Sequence, residues 1–313
     1  MREQVMHTVY YTEIHLIFCS LVWLCAWGLT SISSVSATTK HWIWVATALN
    51  FVLPLGAVLD GLLAAHISWA TPIGLVGALG ASIAANTAMV VGLAAVWLIG
   101  ATTMLVRLCA RIATEYRSDH PECSKVDVPS SRSFQADGVP VGFGRAHAAP
   151  AVTGLLRSRI SLPVGIDRLL SERELESVLM HEVTHARRHD NLIRLLYELS
   201  LCLLWFHPLV WITGRRIALY RELSCDEAVI QRGLGKDLVC ALAKLVDAAH
   251  VPLLHATVTS FFEHRLAHLT ADPRSRLRMA ANCLSAMCFA VVLVGGVFAT
   301  VSATACCFVT KLG

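Results

Sequence analysis

Apolar residues occur in long blocks towards both ends of the chain and in short, spaced positions through its middle. Ile14 to Ser34, Trp42 to Ala65, Asn86 to Val106 and Asn282 to Val301 are near-continuous apolar runs of bilayer-crossing length. Trp42 and Trp44 stand at the edge of the second run, as interfacial anchors do. Ser36-Ala37 would suit cleavage of a signal peptide, but Arg2 is offset by Glu3 and Glu13, which favours an uncleaved span. His66 to Ala85 is Gly-rich and uncharged and reads as a loop at the outer surface.

Between the third and fourth runs the pattern changes. Ser118 to Ala149 is polar and interrupted by Pro121, Pro129 and Pro140, a linker-like entry segment. Ala151 to Thr153 and Arg159 to Leu162 predict two short strands around Gly154, stopped by Pro163. The edge of such a pair could take up an extended peptide by strand addition, or the pair could be a structural hairpin only.

Ser171 to Asp190 is the most regular stretch. Leu175, Val178, His181, Glu182 and His185 recur along one side of a helix. Ser171 and Glu174 have capping-box spacing, and Glu172 and Glu176 suit the positive end of the helix dipole. Leu192 to Ile212 is long enough to span a bilayer but carries Arg194, Glu198, His207 and Pro208, which are costly in lipid. It predicts a helix packed in the domain or dipping into the membrane surface, broken at His207-Pro208. Arg215 to Arg232 predicts a further helix, with Gly233 and Gly235 as its stop.

Composition sharpens this picture. The 313 residues are 55% hydrophobic and 15% charged, with a mean hydropathy of +0.59, which points to a multi-pass membrane protein. Of the 26 Lys and Arg only Arg2, Lys40 and Lys311 lie outside 107–281, and of the 22 Asp and Glu only Glu3, Glu13 and Asp60 do. A water-exposed domain is thus inserted between membrane segments. Arg107, Arg111 and Arg117 follow the third run, and Arg274, Arg276 and Arg278 precede the fourth. The positive-inside rule then puts the domain inside, in the cytoplasm, with both termini outside.

The expected organisation is a three-span membrane region at 1–106, a domain at 107–281, a fourth span at 282–301 and a short outer tail at 302–313. The inserted region keeps the whole chain's modest net charge of +4, which argues against direct nucleic-acid binding. Eleven cysteines include Cys19, Cys25, Cys283 and Cys288 inside apolar runs, and no CxxC pair occurs. They are expected to be mostly reduced.

The helical stretch carries chemistry. His181 and His185, four apart, put two imidazoles on one helix face, a pair suited to Zn²⁺. Glu182 beside them is placed to take a proton from activated water. A third ligand is required. Glu222 is the best candidate, with Asp226 one turn on to accept the spare N–H of a ligand histidine. His189 competes for the third position. The longer HExxHxxGxxH pattern is excluded, because Arg188 and Asn191 stand where it needs Gly and His. An intramembrane zinc protease also fits poorly. Leu59-Asp60-Gly61 lies upstream of the HExxH rather than downstream, and ARRHD after it suits no bilayer core.

Four ordered blocks carry a resemblance: TGLLRSRISLP at 153–163, HEVTHARRHDNL at 181–192, WFHPLVW at 205–211 and RELSCDEAV at 221–229. With three spans before and one after, the chain resembles the bacterial β-lactam sensor-transducer and antirepressor zinc metallopeptidases of the BlaR/MecR type, which are membrane-anchored gluzincins. The resemblance implies a mainly α multi-pass protein with four transmembrane helices and a cytoplasmic α+β gluzincin-type metalloprotease domain between the third and fourth. It implies one Zn²⁺ on His181, His185 and Glu222, with Glu182 as general base. Members that sense β-lactams carry a penicillin-binding domain after the fourth span. Here twelve residues follow Val301, and no Lys has a Ser three positions before it.

The expected function is therefore a zinc endopeptidase in transmembrane signalling, cleaving a cytosolic regulatory protein such as a transcriptional repressor. Its input would arrive through the bilayer-embedded spans, the outer loops or a separate sensor protein. The alternative is a non-enzymatic signalling or scaffold protein with a structural metal site. Oxyanion donors are open, with His207, Tyr220 and His264 as candidates. The Leu269 to Met279 connector is either a self-cleavage site or a basic cluster for anionic lipid.

Overall fold

The computed structural model describes residues 2–32, 34–52, 86–118, 138–144, 149–248, 256–269 and 281–295. The chain divides into two compact units. One holds 1–107, 197–215 and 276–313; the other holds 108–196 and 216–275. Three of the four crossings, at 107/108, 196/197 and 215/216, fall inside helices.

Among its described residues the first unit has helices and no strand. It contains α1 (Arg2–Ser31), α2 (Ala37–Val52), most of α3 (Thr87–Ser118) and the apolar helix α10 (Ala281–Gly295). Val22, Ala26 and Trp44 are fully buried, and Trp23 meets Trp44 edge-on at 5.7 Å between ring centroids. These contacts hold α1 against α2. Ala88–Thr114 within α3 is 27 residues long, with a mean hydropathy of 2.2 over its most apolar stretch, long and apolar enough to cross a bilayer. None of its most apolar stretch is buried, and Val91, Val96, Leu98, Ile99 and Val106 are all exposed. Such a surface is satisfied by lipid rather than water. His15–Ser31 and Ala281–Gly295 are shorter apolar helices. The His66–Ala85 loop, the ends of the second and fourth expected spans and the 270–280 connector lie outside the described residues.

The segment Tyr197–Arg215 belongs to this apolar unit. It does not form one helix. Helix α6 (Asp190–Leu203) ends, four residues intervene, and α7 (Pro208–Gln231) begins at Pro208. Proline is tolerated at the first helical position, where its missing N–H breaks no bond. Tryptophans fasten the break to α3: Trp97 Nε1 donates to Leu203 O at 2.8 Å, and Trp205 Nε1 donates to Trp97 O at 3.3 Å.

The second unit carries the sheet. Strands β1 (Val141–Gly144), β2 (Ala151–Thr153) and β3 (Arg159–Pro163) have the order β1-β3-β2. β2 and β3 form the expected antiparallel hairpin, turning at Gly154 with φ +86°, where a Cβ would strike the Arg157 carbonyl. β1 pairs parallel to β3, with Val141 opposite Ile160. The stretch read as a linker-like entry thus supplies a sheet strand, which its prolines and glycines concealed.

A short α4 (Ile166–Leu169) leads to α5 (Glu172–Arg187). The capping box forms as expected: Ser171 Oγ accepts from Glu174 N, and Ser171 N donates to Glu174 Oε2 at 2.7 Å. Leu175, Val178, Leu179 and Val183 of α5 bury against Ile160 and Leu162 of β3, Val229 of α7 and Leu238 of α8 (Gly235–Ala248). Each fully buried side chain of this size contributes about 1.5–3 kcal/mol. α7 starts earlier than the predicted Arg215 and stops at Gly233, whose φ of +73° lets Leu234 N reach back to Val229 O at 3.2 Å. Gly235 does not stop α7; it begins α8. The last described helix of this unit is α9 (Ala256–Leu269), which sends Leu269 into the same core.

Candidate metal centre

α5 places His181 and His185 on one face, with ring centroids 4.8 Å apart. Their Nε2 atoms are 3.2 Å from each other. Glu222, from α7, brings Oε2 to 3.4 Å from His181 Nε2 and 3.7 Å from His185 Nε2. Zinc bonds of about 2.0–2.2 Å in a tetrahedron give ligand–ligand edges of about 3.3–3.6 Å. The three atoms therefore form a triangle of the size one such ion needs, and the chemistry of two imidazoles and a carboxylate suits it. His181, Glu182 and His185 line a cleft of about 490 Å³ together with Glu222, Asp190 and Arg265. Val178 of α5 and Leu238, Leu242 and Leu245 of α8 form its apolar wall.

Each imidazole is backed on its other nitrogen. His181 Nδ1 lies 3.1 Å from Asp226 Oδ1, a close charge contact rather than a well-aligned hydrogen bond. Asp226 is fully buried and is gripped in turn by Arg265, at 2.9 Å from Nε and 2.7 Å from a terminal nitrogen. His185 Nδ1 lies 2.6 Å from Asp190 Oδ2. Asp190 is gripped by Arg188, at 3.1 Å and 2.6 Å. Arg188 also donates to Ser224 Oγ, to Arg221 O and towards Cys225 Sγ.

The electrostatics follow from this packing. Burial opposes charge on His181, but the nearby carboxylates of Asp226 and Glu222 outweigh it and raise its pKa to about 9. His185 is likewise raised well above the usual range: burial opposes, and Asp190, Cys225 and Glu222 prevail. Burial alone would raise Glu222, yet the two imidazoles hold it well below the usual carboxylate range. Asp226 and Asp190 are lowered against the same opposition, by His181 with Arg265 and by His185 with Arg188.

A model of the BlaR1 peptidase M56 family matches residues 12–238, most of the chain and all of the cleft-lining residues except Leu242, Leu245, Val246 and Arg265. The chain belongs to this family. It is similar to the methicillin resistance mecR1 protein of Staphylococcus aureus, 26% identical over 102 residues that make up 33% of this chain and 17% of that protein. It is also similar to the regulatory protein BlaR1 of Bacillus licheniformis, 37% identical over 83 residues, 26% of this chain and 14% of that one. The matched stretches span less than a fifth of either relative.

In this M56 peptidase chain the structure brings together every residue singled out around the HExxH pair: His181, Glu182, His185, Glu222 and Asp226. His189 goes elsewhere. It is exposed, takes a left-handed φ of 54° and turns the chain from α5 into α6, and it is not among the cleft-lining residues. His207, Tyr220 and His264 do not line the cleft either; its cationic donors are Arg194, Arg221 and Arg265. Cys225 approaches the pair, but at 3.4 Å from His185 Nδ1, the nitrogen that Asp190 already holds.

Asp190, Arg188 and Arg265 were not anticipated. Asp190 follows His185 by five residues, which is no helical spacing, and becomes its partner only because His189 bends the corner. All eight described cysteines are free.

Proposed function

We propose that this chain is a membrane-anchored zinc endopeptidase of the gluzincin type that faces the cytoplasm and acts in transmembrane signalling. Its substrate is a cytosolic regulatory protein, such as a transcriptional repressor. The observation that carries this reading is the triangle of His181 Nε2, His185 Nε2 and Glu222 Oε2, with edges of 3.2 to 3.7 Å, in a cleft that also holds Glu182.

The roles divide among named groups. His181, His185 and Glu222 would hold the zinc ion, which would supply Lewis acidity and make a water nucleophilic near neutral pH. Glu182 takes the proton from the attacking water and passes it to the leaving amine. Asp226 and Asp190 hold the Nδ1 protons of the two histidines, so that both Nε2 lone pairs point at one position. Ala151 and Val152 of the outer strand β2 line the cleft, and strand addition there would present an extended peptide to Glu182.

The membrane arrangement belongs to the same proposal. Four spans cross the bilayer, both termini lie outside, and the signal enters through the spans or a separate sensor protein. The test is Glu182→Gln in the full chain, purified in detergent. The variant retains zinc and loses cleavage of an unstructured protein substrate. Wild-type proteolysis by that variant overturns the reading.

A further inference from the structure

The two halves of the proposed site are built alike but held differently. His185, Arg188 and Asp190 lie within six residues at one chain corner, so the backing of His185 is local. The backing of His181 is assembled from three helices: His181 on α5, Asp226 on α7 and Arg265 on α9. Arg265 is its outermost part. Its fork closes on both oxygens of Asp226, and its remaining terminal nitrogen lies 3.6 Å from Glu222 Oε2. One guanidinium from α9 thus faces two acids spaced i and i+4 along α7.

Only α9 provides this contact, and α9 lies beyond the residues matched by the family model. It is seated on the domain by Leu269, which is buried in the core and whose carbonyl lies close to Gly235. Eleven residues separate Leu269 from the start of the apolar helix α10 at Ala281.

We propose that Arg265 is a positioning residue that makes the His181 half of the site depend on the seating of α9. The physical reason is the burial of Asp226. A fully buried carboxylate needs its hydrogen bonds satisfied. With the fork in place both oxygens are fixed, and Asp226 can orient His181 Nδ1. When α9 leaves, Asp226 loses both bonds, its side chain and that of His181 are free to reorient, and Glu222 loses a neighbouring cation. His185 keeps its own clamp throughout. Displacement of a single helix, close in sequence to a membrane segment, would then weaken metal binding without touching a ligand.

This inference rests on the zinc reading above, and the test separates the two. The full chain in detergent is loaded with zinc in competition with a chelator, and with Co²⁺ for its visible spectrum. Arg265→Gln should lower zinc affinity by about 10- to 100-fold, the range for loss of an outer partner of a metal ligand, and should shift the Co²⁺ bands. Arg265→Lys keeps the charge without the fork and should recover part of the affinity; it carries the same test where the Gln variant does not fold. Leu269→Ala, which loosens α9 at a distance from the site, should weaken zinc in the wild-type background but add little to Arg265→Gln. Wild-type affinity and spectrum in both Arg265 variants overturn the proposal, as do fully additive effects of Leu269→Ala. In those cases wild-type zinc binding leaves the functional reading standing; a wild-type chain that binds no zinc removes both.

Discussion

Asn191 Nδ2 donates to the carbonyl of Val152 at 2.9 Å and also reaches Gly154 O at 3.1 Å. One amide at the start of α6 therefore pins the outer strand β2 and its turn beside the corner that carries His185 and Asp190. Ser158 Oγ adds a second tie, to Ala186 O at 3.3 Å.

If β2 receives the peptide, Asn191 sets its distance from the histidines. Asn191→Ala should cost about 1 kcal/mol of stability, the worth of an ordinary hydrogen bond. It should raise KM more than it lowers kcat and leave zinc content unchanged. Peptidase kinetics with metal analysis check this, and a pure kcat defect would place β2 outside the substrate path.

Ligand and backing residues should separate cleanly in metal binding. Glu222→Ala should abolish stoichiometric zinc. Asp226→Asn and Asp190→Asn should each weaken it by about 10- to 100-fold. Chelator competition on the purified full chain measures all three. Full zinc in Glu222→Ala would mean that another group completes the triangle, with Cys225 the next to replace.

The start of α5 should be sensitive to acid. Lys244 donates to Glu174 at 2.7 Å, and this bond, helped by the Ser171 backbone N–H, holds the Glu174 carboxyl below its usual 4.5. The folded value is depressed, so the stabilisation is complete above the unfolded value and is lost as pH falls through the folded one. Glu174→Gln should lower Tm at about pH 7, with the gap to wild type closing by about pH 3. A gap that stays constant across this range would show that Lys244 contributes nothing. Ser171→Ala should cost about 1 kcal/mol through loss of the cap.

The tryptophan junction in the apolar unit should not tolerate a methyl group. A Cβ at Gly100 would overlap the indole of Trp205, which is bonded to Trp97 O and whose own carbonyl accepts from Trp211 Nε1 at 2.8 Å. Gly100→Ala should cost about 1–3 kcal/mol, as overpacking does, and should shift tryptophan emission. An unaltered melting curve and spectrum would contradict the packing of α3 against this segment.

Sequence alone determined what depends on short, regular spacing. The capping box, the apolar face of α5, the i and i+4 histidines and the Glu222–Asp226 pair all follow from the repeat of a single helix. The break before Pro208 and the turn at Gly154 follow from the backbone limits of one residue. Tertiary structure decided what has no such period. β1 joined β3 in parallel across intervening chain, which no local pattern encodes. Asp190 reached His185 because His189, not a glycine, adopts a left-handed conformation at the corner. Arg265 met Asp226 only once α9 had packed through Leu269, and any of many arginines could have filled that role on paper. The ligand set is local and chemically distinctive, whereas the groups that hold it are chosen by which helices bury against one another.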